Sequence, residues 1–182
     1  AEMRTYESVF LDYLNLNPHS ANGSDLKEKA VELDCLPVGF SGLNREDWLN
    51  LLMAECVEPE LGKNRPTFIY DYPVELCALA RVRDGVAPVA ERFEVYFRGT
   101  ELANGYHELS DAEEQRERFA VDSRRRRDLG YEVVTHDSRL LSALEAGLPD
   151  CSGVALGIDR LLMIMSGLNS IDEVISFPID RA

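Results

Sequence analysis

The 182-residue chain, 45% apolar and 29% charged, has the size and composition of one globular domain with its own core, or of part of a larger one. Its 33 Asp and Glu against 19 Lys and Arg give a formal net charge of −14, which excludes general attachment to a polyanion and leaves any nucleic-acid contact to a local basic patch or another domain. No apolar run reaches the length of a membrane span and the charge-rich start is no signal peptide, so the expected location is cytoplasmic.

The first third reads as helix. From Thr5 the residues Val9, Phe10, Tyr13 and Leu14 recur at helical spacing up to Asn17-Pro18, and Ser24-Asp25 is placed to cap a second helix through about Leu33. Asn44 begins a third helix with Trp48, Leu49, Leu51, Leu52 and Cys56, expected to end near Leu61-Gly62. These helices carry no chemical constellation, and their expected role is support. The next segment, Thr67 to Pro73, alternates aromatic and branched residues and predicts a strand closed by proline. After a turn-rich loop over residues 81–89, strands over 91–97 and 101–109 flank Arg98-Gly99-Thr100, the pattern of an antiparallel hairpin. Ser110 and Glu113 have capping-box spacing before a polar helix to Arg126, and a further helix spans Ser138 to Ala146. Hairpin and helices together predict an α+β domain on a mostly antiparallel sheet with flanking helices. Cys35, Cys56, Cys77 and Cys151 and the three histidines are too scattered for a zinc pattern, so the cysteines are expected as free thiols.

Two stretches carry chemistry. Ser152 to Leu156 is a short apolar strand that bends at Gly157 into a helix bearing Ile158, Leu161, Leu162 and Met165. A glycine at such a bend lets a flat ligand approach the backbone, and Arg160 in the first helical turn is placed to stack over an aromatic base. In the second strand of the hairpin, Glu101 and Glu108 are an odd number of residues apart. Simple alternation puts them on opposite faces, whereas a bulge near Gly105 brings both to one side, to share Mg²⁺ ions or to pair with a substrate ammonium.

The run Gly153-Val154-Ala155-Leu156-Gly157-Ile158-Asp159-Arg160-Leu161 resembles motif 3 of the class II aminoacyl-tRNA synthetases. Glu91-Arg92-Phe93-Glu94 through Glu101-Leu102-Ala103-Asn104-Gly105-Tyr106-His107-Glu108-Leu109 is similar to the lysyl branch between motifs 2 and 3, as is Glu173-Val174-Ile175-Ser176-Phe177-Pro178. The resemblance implies a ligase that uses ATP and Mg²⁺, with Arg160 catalytic and with Glu101, Leu102, Gly157 and Arg160 binding ATP. It assigns Glu108, Asn104, Tyr106, Ala155 and Gly153 to the substrate, Glu101 and Glu108 to metal, and Glu94 to the same pocket. The pair His107-Glu108, the Asp150 to Gly157 version of motif 3 and the ending Asp180-Arg181-Ala182 are similar to the branch that places lysine or β-lysine on a lysine of elongation factor P; the alternative acceptor is tRNA(Lys). Ala155 stands where the tRNA synthetases place glycine, and one methyl in a tight pocket shifts amino-acid preference by about 1–3 kcal/mol. Motifs 1 and 2 are not found. The chain, opening at Ala1 without methionine, is therefore expected to be the C-terminal part of a homodimeric enzyme's catalytic core, with 1–62 as helical support and 63–182 carrying sheet and site. On this expectation the piece is inactive by itself and exposes an apolar edge or face. A non-catalytic binding module that kept the fold without motif 2 is a third reading.

Overall fold

The computed structural model describes residues 1–36 and 42–179, so the ending Asp180-Arg181-Ala182 lies outside the described residues. Its centre is the predicted hairpin. Strands β4 (Val89–Phe97) and β5 (Thr100–His107) pair antiparallel through a two-residue turn, Arg98-Gly99, in which both residues have positive φ (53° and 71°). That turn twists with the strands instead of splaying them. Before it in the chain lie β1 (Glu2–Thr5), β2 (Thr67–Pro73) and β3 (Val82–Arg83); β6 (Ser152–Leu156) lies after it. Among the described residues they form one sheet ordered β1-β2-β4-β5-β6, with β3 beside β4. Only β1 and β2 run parallel, so the expected α+β, mostly antiparallel architecture is the one found.

One face of the sheet is roofed by three helices, α1 (Tyr6–Leu14), α2 (Gly23–Glu32) and α3 (Arg45–Leu52). Period-two alternation sends Thr67 and Ile69 of β2 and Glu94 and Tyr96 of β4 into this roof, and all four are buried. Tyr6, Phe10, Leu26, Leu49, Leu52 and Val57 fill the space above them, each contributing about 1.5–3 kcal/mol by leaving water. The second helix starts earlier than expected, because Asn22, not Ser24, is the cap, closing a capping box with Asp25. The third stops earlier: after Leu52 the backbone widens into a π turn, Met53–Val57, and a 3-10 turn, Glu58–Glu60, that contains Pro59.

Leu61 and Gly62 then lock onto the hairpin turn, accepting Gly99 N–H and Arg98 N–H at 2.9 Å each. Gly62 has φ +68°, and a Cβ there would lie 2.5 Å from Phe97 Cα and 2.6 Å from the Tyr96 carbonyl oxygen. Both the left-handed backbone and the close approach demand glycine. Gly62→Ala is expected to destabilise the fold by about 2–3 kcal/mol, read as a lower denaturant midpoint. A midpoint equal to that of the parent would show that the strands can separate there without cost.

The remaining helices lie along the polypeptide between β5 and β6 and beyond β6. α4 (Ala112–Asp128) is capped by Asp111, one residue later than the Ser110 reading, and ion pairs from Arg125 to Glu46 and Asp47 fasten it to α3. α5 (Ser138–Ala146) packs on α4, and α6 (Ile158–Met165) follows β6. Neither β6 nor α6 is roofed: Val154, Ile158 and Met165 are each more than 60% exposed. No helix among the described residues is long and apolar enough to cross a membrane, and the four cysteines are free.

Candidate active site

The site face of β5 is set by one extra residue. Between Val95↔Ala103 and Tyr96↔Glu101 the register shifts, so Leu102 bulges while Gly105 pairs regularly with Phe93. The irregularity expected near Gly105 is therefore at Leu102. Gly105 has another reason to be glycine: the Phe93 ring lies across it, 2.5 Å from where a Cβ would stand. Residues directly opposite in antiparallel strands share a face. The pairs Tyr96↔Glu101, Glu94↔Asn104 and Arg92↔Tyr106 thus put Glu101, Asn104, Tyr106 and, by alternation, Glu108 on one side, with Gly153 and Ala155 of β6 opposite Tyr106 and Asn104. Glu101 and Glu108 nevertheless stand at opposite ends of this row, seven residues or about 20 Å apart along an extended strand. One ion bonded at about 2.1 Å cannot touch both, so the shared metal expected of the two carboxylates does not fit their separation.

Glu94 is the hub of the face. It is 6% exposed and accepts from Tyr72 Oη at 2.7 Å and Asn104 Nδ2 at 2.9 Å, and also from Tyr96 Oη and an Arg92 guanidinium N–H. Arg92 in turn donates to the Leu76 carbonyl at 2.8 Å and lies over the rings of Tyr72 and Tyr106, at 4.7 and 5.8 Å. Burial, reinforced by the Glu94 charge, pushes the phenols of Tyr72 and Tyr96 far above their usual range, so both stay protonated donors. The helical region contributes Tyr6, whose ring meets Tyr72 at 4.8 Å, and Glu58, whose Oε1 lies 3.2 Å from Tyr96 Oη. With Asn104 Nδ2 held by Glu94, its buried Oδ1 is left without a partner. A buried acceptor left unpaired beside Glu94 is a hydrogen-bonding group still to be satisfied.

At the other end, Gly157 N–H donates to the Leu102 carbonyl at 2.8 Å, continuing the β6 ladder onto the bulge before α6 begins. Arg160, one turn into α6, reaches back to the Glu101 carbonyl at 2.8 Å and to Glu101 Oε2 at 3.2 Å. Glu101, Leu102, Gly157 and Arg160 therefore meet at one corner. Gly157 has φ −74°, and an added Cβ would make only ordinary contacts with Arg160, the nearest at 3.4 Å. The fold itself does not require glycine here.

The Glu108 end is held by charge on both sides. Glu108 N–H donates to the Cys151 carbonyl at 3.0 Å, and Glu108 Oε1 occupies the space over Gly153, 2.5 Å from where a Cβ would be. On the opposite side Arg118 of α4 donates to the carbonyls of Ala78 and Ala80 at 3.0 and 2.8 Å, fixing the loop that bridges to Glu108. Across this end of the sheet runs a belt of alternating charge. Asp71 meets Arg83 at 2.8 Å, Arg83 meets Glu91 at 3.3 Å, Glu91 meets His107 Nδ1 at 2.6 Å, His107 Nε2 meets Asp150 at 2.5 Å, and Asp150 meets Arg81 at 3.7 Å.

His107 sits between two carboxylates, Asp150 and Glu91, whose hydrogen bonds favour the imidazolium and raise its pKa above the ordinary 6.5; the same contact lowers Asp150 below 3.8. A raised histidine contributes stability that is complete below pH 6.5 and fades as pH climbs through the folded-state value. A lowered aspartate contributes above pH 3.8 and fades as pH falls through its own. The belt is thus expected to be fully closed from about pH 4 to 6.5. The His107 imidazole resonances should titrate above pH 6.5, and Asp150→Asn should lower that midpoint; an unshifted midpoint in the variant would disprove the contact.

The sequence pattern of tRNA synthetases class II (D, K and N) matches residues 18–181. The chain belongs to this class II family. Curated proteins named elongation factor P (R)-β-lysine ligase are similar to it along its whole length: 50% identical in Klebsiella pneumoniae (strain 342), and 48% identical in Proteus mirabilis (strain HI4320) and in Salmonella typhi. The chain spans 56% of the length of each of these relatives. Within this class II domain the structure brings Asn104, Tyr106, Gly153 and Ala155 together on one face and gathers Glu101, Leu102, Gly157 and Arg160 at its corner. It also adds Tyr72, Arg92, Tyr96, Glu58, His107 and Asp150, which were not singled out as site residues. For Arg92 and Tyr96 the signal was present in their two-residue spacing from Glu94; for Glu58 and Asp150 the contacts span 38 and 43 residues, and no local pattern announces them.

Proposed function

We propose that this chain forms part of a cytoplasmic, homodimeric ATP-dependent ligase that activates a lysine-type amino acid, β-lysine foremost, and transfers it to a lysine of elongation factor P. In this reading residues 1–62 are the roof and 63–182 carry the site. The observation that carries it is the polar face running from the Arg160–Glu101 corner to Glu108, with the unpartnered acceptor Asn104 Oδ1 between them. The names of the relatives support the choice of amino acid and acceptor.

Arg160 and Gly157 receive the adenine, the guanidinium stacking on the base. Glu101, about one third exposed and with one oxygen near Arg160, fits Mg²⁺, which commonly takes one or two carboxylates and completes its shell with phosphates and water. Bound there, the ion would neutralise phosphate charge. Glu108 and Asn104 Oδ1 take an amino group of the substrate, Tyr106 lines the wall, and the Ala155 methyl narrows the space beside Asn104. The substrate carboxylate then attacks the α-phosphorus of ATP, forming the acyl–phosphate bond as pyrophosphate leaves. The acceptor ε-amine attacks the acyl carbon, loses a proton and releases AMP. The face works by positioning the reactants more than by covalent chemistry.

Pyrophosphate exchange with ATP and Mg²⁺ tests the reading on the full-length protein, with lysine and β-lysine compared. Exchange dependent on either amino acid and abolished by Glu108→Ala is expected; exchange indifferent to Glu108 would refute it. The 182-residue chain alone, lacking a recognisable α-phosphate-binding motif, is expected to exchange at least about a hundredfold more slowly.

A further inference from the structure

Glu108 itself is placed by neighbours that never face the substrate. Its carboxylate lies on the bare backbone of Gly153, so its position depends on where the first residues of β6 run. That start is an edge: β6 pairs with β5 alone among the described residues, and its side chains are mostly exposed. Close to its N-terminal end the backbone ties from β5 are the His107↔Ser152 pair and the Glu108 N–H to Cys151 carbonyl bond. Edge pairing of this kind frays unless something anchors it.

The anchor is on the reverse side. His107 is the strand neighbour of Glu108, so alternation turns it to the opposite face, where it joins Glu91 of β4 to Asp150, two residues before β6. Asp150 also meets Arg81 from the loop that bridges to Glu108 on its other side, and Arg83 holds Glu91 from β3. Every strand from β2 to β5 and the approach to β6 is therefore stitched by one row of side chains, and His107 is its only member on the strand that carries Glu108. Exposed ion pairs of this kind add little to stability. Their effect here is geometric.

We propose that His107 is a positioning residue for amino-acid selection: through Asp150 it holds the start of β6 in the register that seats Glu108 on Gly153. The inference rests on the proposed role of Glu108 toward the substrate amine. It extends recognition to residues behind the sheet, which touch neither substrate nor nucleotide.

The test is steady-state pyrophosphate exchange in the full-length enzyme, with KM for the amino acid and for ATP measured separately. His107→Ala and Asp150→Ala should each raise the amino-acid KM about tenfold while the ATP KM, set at the far corner, stays within about twofold. The double variant should be no worse than either single one, because both cut the same link. Asp150 is 79% exposed in its side chain, so Asp150→Ala keeps the fold even where the histidine variant does not. Asp150→Asn, which retains an acceptor for Nε2–H, should recover most of the loss. If Glu108→Gln raises the amino-acid KM but Asp150→Ala leaves it unchanged, or raises both KM values alike, the positioning role is wrong and the site reading stands. If Glu108→Gln also leaves it unchanged, both fall.

Discussion

Glu94→Ala should be the most damaging single substitution in the sheet, lowering stability by about 3–5 kcal/mol. The carboxylate is 6% exposed and absorbs donors from four side chains, Tyr72, Tyr96, Arg92 and Asn104, drawn from three strands. Deleting it leaves two phenols, an amide and a guanidinium around an empty space, with a half-buried positive charge that no longer has its carboxylate partner. Removing one side of such a pair is far worse than replacing both. For a chain of this size the loss corresponds to a melting temperature lower by about 10 °C. Glu94→Gln keeps one acceptor oxygen but turns an amide N–H₂ toward donors, so it should fall between the two. A drop of less than about 3 °C for the alanine variant would mean that water replaces the carboxylate without penalty, contrary to its burial.

Gly153→Val should be nearly silent for folding and severe for catalysis. Gly153 has an ordinary backbone that accepts a side chain, and the clash of an added Cβ falls on Glu108 Oε1 at 2.5 Å, with Cδ next at 3.7 Å. The carboxylate must swing away, and a displacement of about 1 Å in a group that orients substrate costs on the order of a hundredfold in kcat/KM. Gly153→Ala, lacking the branch, should cost less. In the full-length enzyme we expect the amino-acid kcat/KM to collapse while circular dichroism and the melting curve stay near those of the parent. If the activity survives valine, Glu108 does not bind where its position in the structure implies.

The elements readable in the sequence were those with strong local periodicity. Alternating aromatic and branched residues marked β2, the short Arg98-Gly99-Thr100 connection between two alternating runs marked β4 and β5, and the 138–146 helix was legible to the residue because polar residues bracket a compact apolar stripe. β1 was not, since four residues give no period and its partner Thr67 to Tyr70 is some 65 positions away. β3, two residues in a turn-rich loop, left no trace either. The helix starts slipped by one or two residues because several adjacent Asn, Asp and Ser side chains can cap, and only the backbone decides which does. For the site, resemblance supplied the roster and the parity problem was visible, but the bulge was assigned to Gly105, where glycine serves the Phe93 ring, and not to Leu102, an apolar residue with no sequence mark of irregularity.

That extra residue divides β5 into two segments that count from different origins. Upstream of Leu102 the odd-numbered Glu101 looks into the site; downstream the even-numbered Asn104, Tyr106 and Glu108 do. A positional scan of the strand should therefore show functional sensitivity slipping phase by one residue at Leu102. Deleting Leu102 alone would remove the extra residue and leave a regular ladder in which Glu101, still opposite Tyr96, keeps its face. A single-codon insertion or deletion between Asn104 and Glu108, where the ladder is regular, would instead turn the residues on one side of it to the reverse of the sheet.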